Sequence, residues 1–138
     1  MERVPSFSNL TALRDETVLR RVRQLGSSRN GLGEWRLQRL TAIALIPLGL
    51  YFVASILSLA TADKATASEW LASPVPALLV ILFVLVGLVH ALVGIRSVLL
   101  DYVHSRARLV AAELLVRAGT VILAGASVLA VLKIFLGR

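Results

Sequence analysis

Three long apolar runs constrain the fold of this chain more than any other feature. They cover approximately residues 37–62, 76–103 and 109–136. A helix needs about 20 apolar residues to cross the hydrocarbon core of a bilayer, so each run is long enough. The first run has no charge after Arg39 and no polar face, and none of the three shows the alternation of a membrane β-strand. The sequence therefore predicts an all-α membrane protein with three transmembrane helices.

The distribution of Lys and Arg predicts the orientation of these helices. Arginines are concentrated before and at the start of the first run: Arg3, Arg14, Arg20, Arg21, Arg23, Arg29, Arg36 and Arg39. Arg106 and Arg108 lie between the second and third runs. Between the first and second runs, residues 61–75 contain one positively charged residue, Lys64. Because positive residues collect on the cytoplasmic side, the N-terminus is expected inside and the C-terminus outside. Orientation and contact with anionic headgroups also explain the net charge of +7 without a nucleic-acid partner.

The chain divides into a polar tail, residues 1–33, and a three-helix membrane anchor domain, residues 34–138. In the tail, Val18, Val22 and Leu25 have helical spacing, which predicts a short amphipathic helix on the headgroups or on a soluble partner. Residues 26–33 are rich in Gly and Ser and predict a flexible connector.

The tail also bears on localisation. No apolar signal-peptide region follows its early charges. Glu2, Asp15 and Glu16 argue against a mitochondrial transit peptide. A multi-pass protein of a bacterial inner (cytoplasmic) membrane is therefore expected in preference to one of the mitochondrial inner membrane.

His90 is an ionisable side chain near the middle of the second run, where such a group is costly and usually has a partner. With about 100° per residue, His90, Gly94, Ser97 and Asp101 share a narrow sector of the helix. This face would accept a flat, bulky group or a closely packed helix. Three interpretations follow: an axial ligand of haem iron, a proton relay, or a histidine hydrogen-bonded to a neighbouring helix. The first needs a second ligand from a partner chain.

Asp101 and Tyr102 end the second run, about 16 Å along the helix axis from His90, at the inner interface. A phenol there can hydrogen-bond a quinone carbonyl, and the adjacent carboxylate can orient it or carry protons. The alternative is an ordinary interfacial tyrosine beside a carboxylate paired with Arg106 or Arg108.

Other charged residues flank the spans. Arg36 and Arg39 lie on one face of the first run, where they could bind carboxylates or extend to the headgroups. Glu113 and Arg117 are spaced as an i,i+4 ion pair at the start of the third run, and Arg96 is expected to extend toward the inner surface. Small residues further along the third run predict close helix packing: Ala118, Gly119, Ala124, Gly125, Ala126 and Ser127.

Two sequence strings resemble a known family. Residues 90–103, HALVGIRSVLLDYV, resemble the second span of D-type membrane anchors of succinate dehydrogenase, with H-x-x-x-G followed by D-Y at the same distance. Residues 38–42, QRLTA, are similar to the start of the first span in that family. The resemblance covers residues of about 30–104, and the third span fits in length and character.

The resemblance implies specific roles. His90 would be an axial ligand of haem b, opposite a histidine of the C-type cytochrome b anchor, and Arg39 would lie near the haem propionates. Tyr102 would hydrogen-bond ubiquinone, with Asp101 beside it as a possible proton-path residue. Some members carry a histidine just before the first span, where this chain has Gly33-Glu34.

The remaining chemistry would belong to other subunits. The chain contains neither a dinucleotide-binding glycine motif nor any cysteine, so it could not oxidise succinate alone. The resemblance therefore implies an anchor for a flavoprotein and an iron–sulfur subunit, packed against the C-type anchor in the lipid bilayer. Two alternatives remain open: the anchor of a fumarate reductase, and a non-redox membrane scaffold or assembly protein.

Overall fold

The three long helices predicted from the sequence are confirmed. The computed structural model describes residues 28–137, in which four helices and no strands occur. They are α1 (Ser28–Leu59), α2 (Lys64–Leu71), α3 (Pro74–Tyr102) and α4 (Arg106–Leu136). Helices α1, α3 and α4 are each long and apolar enough to cross a membrane. Contacts within the chain divide it into two units between Trp35 and Arg36. The helix contacts that follow lie within the second unit, Arg36–Arg138.

Helix α1 begins earlier than predicted. Residues 28–33 are helical, so the prediction of a flexible connector is wrong for them. Extending an existing helix adds a hydrogen bond per residue and avoids the cost of nucleation, which offsets the low helix propensity of Gly31 and Gly33. The predicted amphipathic helix around Val22 lies outside the described residues.

Helix α2 lies in the predicted loop of residues 61–75 and was not foreseen. Asp63 is its N-cap and accepts a hydrogen bond from the Thr66 backbone N–H at 2.9 Å. Hydrogen bonds from Thr66, first from its side chain and then from its backbone, hold the pKa of Asp63 below its usual value. Trp70 of α2 stacks on Tyr51 of α1, with ring centroids 6.5 Å apart. The cap thus stabilises the start of this short helix, and the aromatic contact attaches it to α1.

Helix α3 contacts α1 through side chains and runs antiparallel to it. The rings of Phe52 and Phe83 stack at 4.5 Å, and a Cβ added at Gly87 would lie 3.9 Å from a methyl group of Leu45. The backbones of α3 and α4 approach each other along much of their length. Helix α3 therefore has contacts with both other long helices.

The small residues of α4, for which close helix packing was predicted, include two glycines that no other described part of this chain covers. A Cβ added at Gly119 or Gly125 would meet nothing within 4 Å in the described part of the chain. Large apolar side chains elsewhere are also exposed, among them Leu50 at 70% and Leu115 at 73%. Such a surface needs an apolar surrounding, either lipid or another membrane subunit.

Candidate functional site

His90 lies between α3 and α1, and both of its ring nitrogens have partners on α1. Its Nδ1 is 3.0 Å from Oγ1 of Thr41, and its Nε2 is 3.3 Å from Nε2 of Gln38. Thr41 is one of the most buried polar residues of the described chain, with 8% exposure, and His90 is half-buried. These contacts within the chain agree with one of the three interpretations of His90 drawn from the sequence, a histidine hydrogen-bonded to a neighbouring helix.

The contacts of Thr41 indicate which nitrogen of His90 carries the proton. The Thr41 hydroxyl donates to the carbonyls of Leu37 at 2.8 Å and Gln38 at 3.0 Å, one turn back on its own helix. A hydroxyl has a single hydrogen, and with that hydrogen on either carbonyl the Thr41 oxygen can only accept toward His90. In that arrangement His90 Nδ1–H is the donor. The amide nitrogen of Gln38 can only donate, which agrees with an unprotonated Nε2.

Gln38 covers the lone pair of His90 Nε2 but is poorly satisfied there. Its Oε1 is buried and has no hydrogen-bond partner within residues 28–137. A Cβ added at Gly94 would lie 3.5 Å from the Gln38 amide nitrogen, so the space that this glycine leaves open adjoins that amide. An unsatisfied buried carbonyl costs about 1–3 kcal/mol. Moving the Gln38 side chain away from Nε2 would therefore relieve an existing penalty.

The other predicted site residues lie on the same two helices as His90 and its partners. Arg39 follows Gln38 on α1 and is exposed. Asp101 and Tyr102 are the last two residues of α3 and are exposed, Tyr102 at 78%. With 1.5 Å of rise per residue, Tyr102 is about 18 Å along the helix from His90. The chain thus presents two separate places, one at His90 and one at the end of α3.

No described residue completes a metal centre around His90. Among residues 28–137 no group of three His, Cys, Asp or Glu side chains could hold a metal ion. Asp101 forms no ion pair with Arg106 or Arg108 within the same described range, although this pairing was one alternative from the sequence.

A cluster of three charged residues joins α3 to α4 and was only half predicted. The i,i+4 pair is confirmed, since Arg117 lies 3.5 Å from Oε2 of Glu113. The other oxygen, Oε1, accepts a hydrogen bond from Nε of Arg96 at 2.9 Å. Arg96 was expected to extend toward the inner surface. It bonds Glu113 instead, because the contact between α3 and α4 places a carboxylate within reach.

We expect Glu113→Gln to loosen α4 from α3. The change keeps the shape of the side chain but leaves two guanidinium groups close together without their anion. Hydrogen bonds to charged groups contribute about 1.5–3 kcal/mol each, and the partial exposure of this cluster places the loss at the lower end. Thermal unfolding in detergent should show a lower Tm than for Arg117→Gln, which keeps the Arg96–Glu113 bond. Equal Tm values for the two variants would contradict a bridging role for Glu113.

Comparison with known proteins places this chain in a family. The family model described as "Succinate dehydrogenase/Fumarate reductase transmembrane subunit" matches residues 14–132. The chain belongs to this family. The match extends through α4, beyond the part of the chain that carried the sequence resemblance.

A curated relative supports the same assignment. The "Succinate dehydrogenase hydrophobic membrane anchor subunit" of Rickettsia bellii (strain RML369-C) is 29% identical over 83 residues, which cover 60% of this chain. The aligned segment spans 66% of that relative, slightly less than two thirds of its length. Family membership and three helices of spanning length make the chain a multi-pass membrane protein of the succinate dehydrogenase/fumarate reductase anchor type.

Proposed function

We propose that this chain is the D-type anchor of a succinate:ubiquinone oxidoreductase. In this role it holds a flavoprotein and an iron–sulfur subunit at the membrane, contributes one axial ligand to haem b, and forms part of the ubiquinone site. The observation that carries the proposal is the set of contacts made by the two ring nitrogens of His90, in a chain that belongs to this family. Thr41 lies against Nδ1, and the amide of Gln38 lies against Nε2.

The residues around His90 fit haem ligation. An imidazole ligates iron through the lone pair of one nitrogen while the other nitrogen donates its N–H to an acceptor. His90 has this arrangement, with Thr41 as the acceptor. The side chain in front of Nε2 has a buried oxygen without a partner among the described residues, so displacing it would let that oxygen find one. The second ligand would be a histidine of the C-type cytochrome b anchor.

Haem b, when bound, supplies reversible one-electron chemistry inside the membrane. The part of this chain is to hold the group and tune its surroundings. His90 would supply an imidazole nitrogen as a ligand. Arg39, one residue after Gln38 on α1, supplies a guanidinium suited to a propionate carboxylate.

The end of α3 supports a quinone site. Oxidation of succinate to fumarate releases two electrons and two protons, and reduction of ubiquinone to ubiquinol consumes two of each. Tyr102 is largely exposed at the end of a spanning helix, so its hydroxyl is open to a ligand bound between this chain and the iron–sulfur subunit. That hydroxyl would donate a hydrogen bond to a quinone carbonyl, and Asp101 would pass protons toward the same oxygen.

The orientation follows from the same proposal. The N-terminus and the α3–α4 connection, with Arg106 and Arg108, lie on the inner side, and α2 lies on the outer side. The soluble subunits then bind on the inner face, next to Tyr102. The membrane is the bacterial inner membrane.

Two other functions each have an observation in their favour. The family description includes fumarate reductase, which runs the reaction in the opposite direction. The contacts of both His90 nitrogens inside this chain would also suit a haem-free anchor or a scaffold protein, in which the histidine serves packing alone.

Purification through an affinity tag on this chain tests the proposal. From membranes solubilised in mild detergent, we expect a flavoprotein and an iron–sulfur protein to co-purify, with succinate-dependent reduction of a ubiquinone analogue. A dithionite-reduced minus oxidised spectrum should show a b-type α-band. Faster fumarate reduction with a low-potential quinol would favour the fumarate reductase. Co-purification with a flat spectrum would identify a haem-free anchor, and absence of the soluble subunits would contradict the anchor function.

A further inference from the structure

We infer that Thr41 is a positioning residue for the haem ligand, acting through the Nδ1–H of His90. The inference rests on the proposed haem ligation. It goes beyond the contact between Thr41 and His90 and assigns that contact an effect on the haem. The Thr41 oxygen selects the Nδ1–H tautomer of His90, fixes the plane of its ring, and would make Nε2 a stronger donor to iron.

The inference starts from the hydrogen bonding of Thr41 itself. Its side chain lies 2.8 Å from the Leu37 carbonyl and 3.0 Å from the Gln38 carbonyl, so its only hydrogen has acceptors on α1. Its oxygen keeps a lone pair for the Nδ1–H of His90 at 3.0 Å. Because Thr41 is 8% exposed, water is a poor competitor for either bond. The hydroxyl is thus held by its own backbone and presents a fixed acceptor to the ring.

The alternative protonation state would not serve a metal ligand. If Thr41 donated to Nδ1, the proton of His90 would lie on Nε2, and Nδ1 would be occupied by the hydroxyl. Neither nitrogen would then offer a lone pair to iron. With Thr41 as the acceptor, Nε2 would be the ligating atom, and Gln38 is the side chain in hydrogen-bond contact with it.

The arrangement also affects the iron potential. A hydrogen bond from Nδ1–H to an acceptor raises the electron density of the imidazole and its basicity at Nε2. A more basic ligand stabilises the ferric state in preference to the ferrous state. Thr41 should therefore lower the midpoint potential of the haem, and loss of its oxygen should raise it.

The test compares Thr41→Val with Thr41→Ser in the intact, purified complex. Valine has nearly the shape of threonine and lacks the oxygen, whereas serine keeps the oxygen and lacks a methyl group. The measurements are a redox titration of the α-band and the low-temperature EPR spectrum of the oxidised haem, neither of which needs turnover. We expect Thr41→Val to shift the midpoint to more positive potential and to broaden or move the highest g-value. Thr41→Ser should restore both toward the parent values.

The outcomes separate this inference from the function on which it rests. A haem-containing parent in which Thr41→Val changes neither the potential nor the g-value would overturn the role of Thr41 and leave haem ligation standing. Equal shifts in the valine and serine variants would also overturn it, because packing rather than the oxygen would then be responsible. A parent complex without any haem signal would refute the ligation itself, and with it the role of Thr41.

Discussion

Replacing His90 with alanine is expected to reduce the haem content of the purified complex to background. The substitution removes the nitrogen that the proposal assigns to iron, and no other described residue can replace it. The nearest side chains on α1, Gln38 and Thr41, offer an amide and a hydroxyl, which are poor ligands for haem iron. The dithionite-reduced minus oxidised spectrum measures the effect directly, as the α-band normalised to flavin.

The chain offers a matched control for this variant. His104, its other histidine, lies exposed in the connection between α3 and α4, and its Nδ1 is 3.2 Å from the Tyr102 carbonyl. His104→Ala should leave the α-band unchanged. His90→Ala also removes two hydrogen bonds to α1, which contribute about 0.5–1.5 kcal/mol each. Co-purification of the soluble subunits must therefore be measured beside the spectrum. A full α-band in assembled His90→Ala would eliminate His90 as the ligand.

Tyr102→Phe is expected to slow ubiquinone reduction about tenfold or more while the haem spectrum stays unchanged. The change removes one hydroxyl and nothing else. A hydrogen bond that strengthens as charge develops on the quinone oxygen is worth at least about 1.4 kcal/mol in the barrier, which corresponds to a factor of about ten. The haem should be unaffected because Tyr102 is about 18 Å along the helix from His90.

The measurement separates the quinone step from succinate oxidation. Succinate-dependent reduction of an artificial dye that accepts electrons ahead of the quinone should proceed at the parent rate, and ubiquinone reduction should not. Tyr51→Phe is the control. Tyr51 lies toward the C-terminal end of α1, where it stacks on Trp70 of α2, and not at the end of α3. A Tyr102→Phe enzyme with unimpaired quinone turnover would show that Tyr102 is an ordinary interfacial tyrosine.

Much of the site could be located from the sequence, but its contacts could not. The polar stripe through His90 and Gly94 predicted either a bulky ligand or a close helix, and α1 lies against it in the structure. Gln38 and Thr41 were not predicted to be the residues facing the imidazole, although both belong to the segment similar to the family. A polar pair at i,i+3, facing a lone intramembrane histidine, was the signal available to find them.

Charged residues also divide into local pairs that the sequence predicts and contacts between helices that it does not. The Glu113–Arg117 pair could be predicted because i,i+4 spacing is local to one helix. The bond from Arg96 to Glu113 could not, since it depends on how α3 and α4 are rotated against each other. Helix α2 was missed although Asp63 and Thr66 have the spacing of an N-cap, because its eight residues are too few for a clear apolar period.

The sequence by itself determined that this chain forms three membrane-length helices, with His90 inside the second and Asp101-Tyr102 at its end. These are properties of local composition, because helix formation and transfer into a bilayer depend on about 20 consecutive residues. Only the tertiary structure decided which face of α3 meets α1, and hence that Thr41 and Gln38 bind the two nitrogens of His90. Helix rotation and register are set by side chains far apart in the sequence, such as Phe52 against Phe83 and Thr41 against His90. The local sequence does not contain that information, since the same helices could pack in several rotations with little change in hydrophobicity.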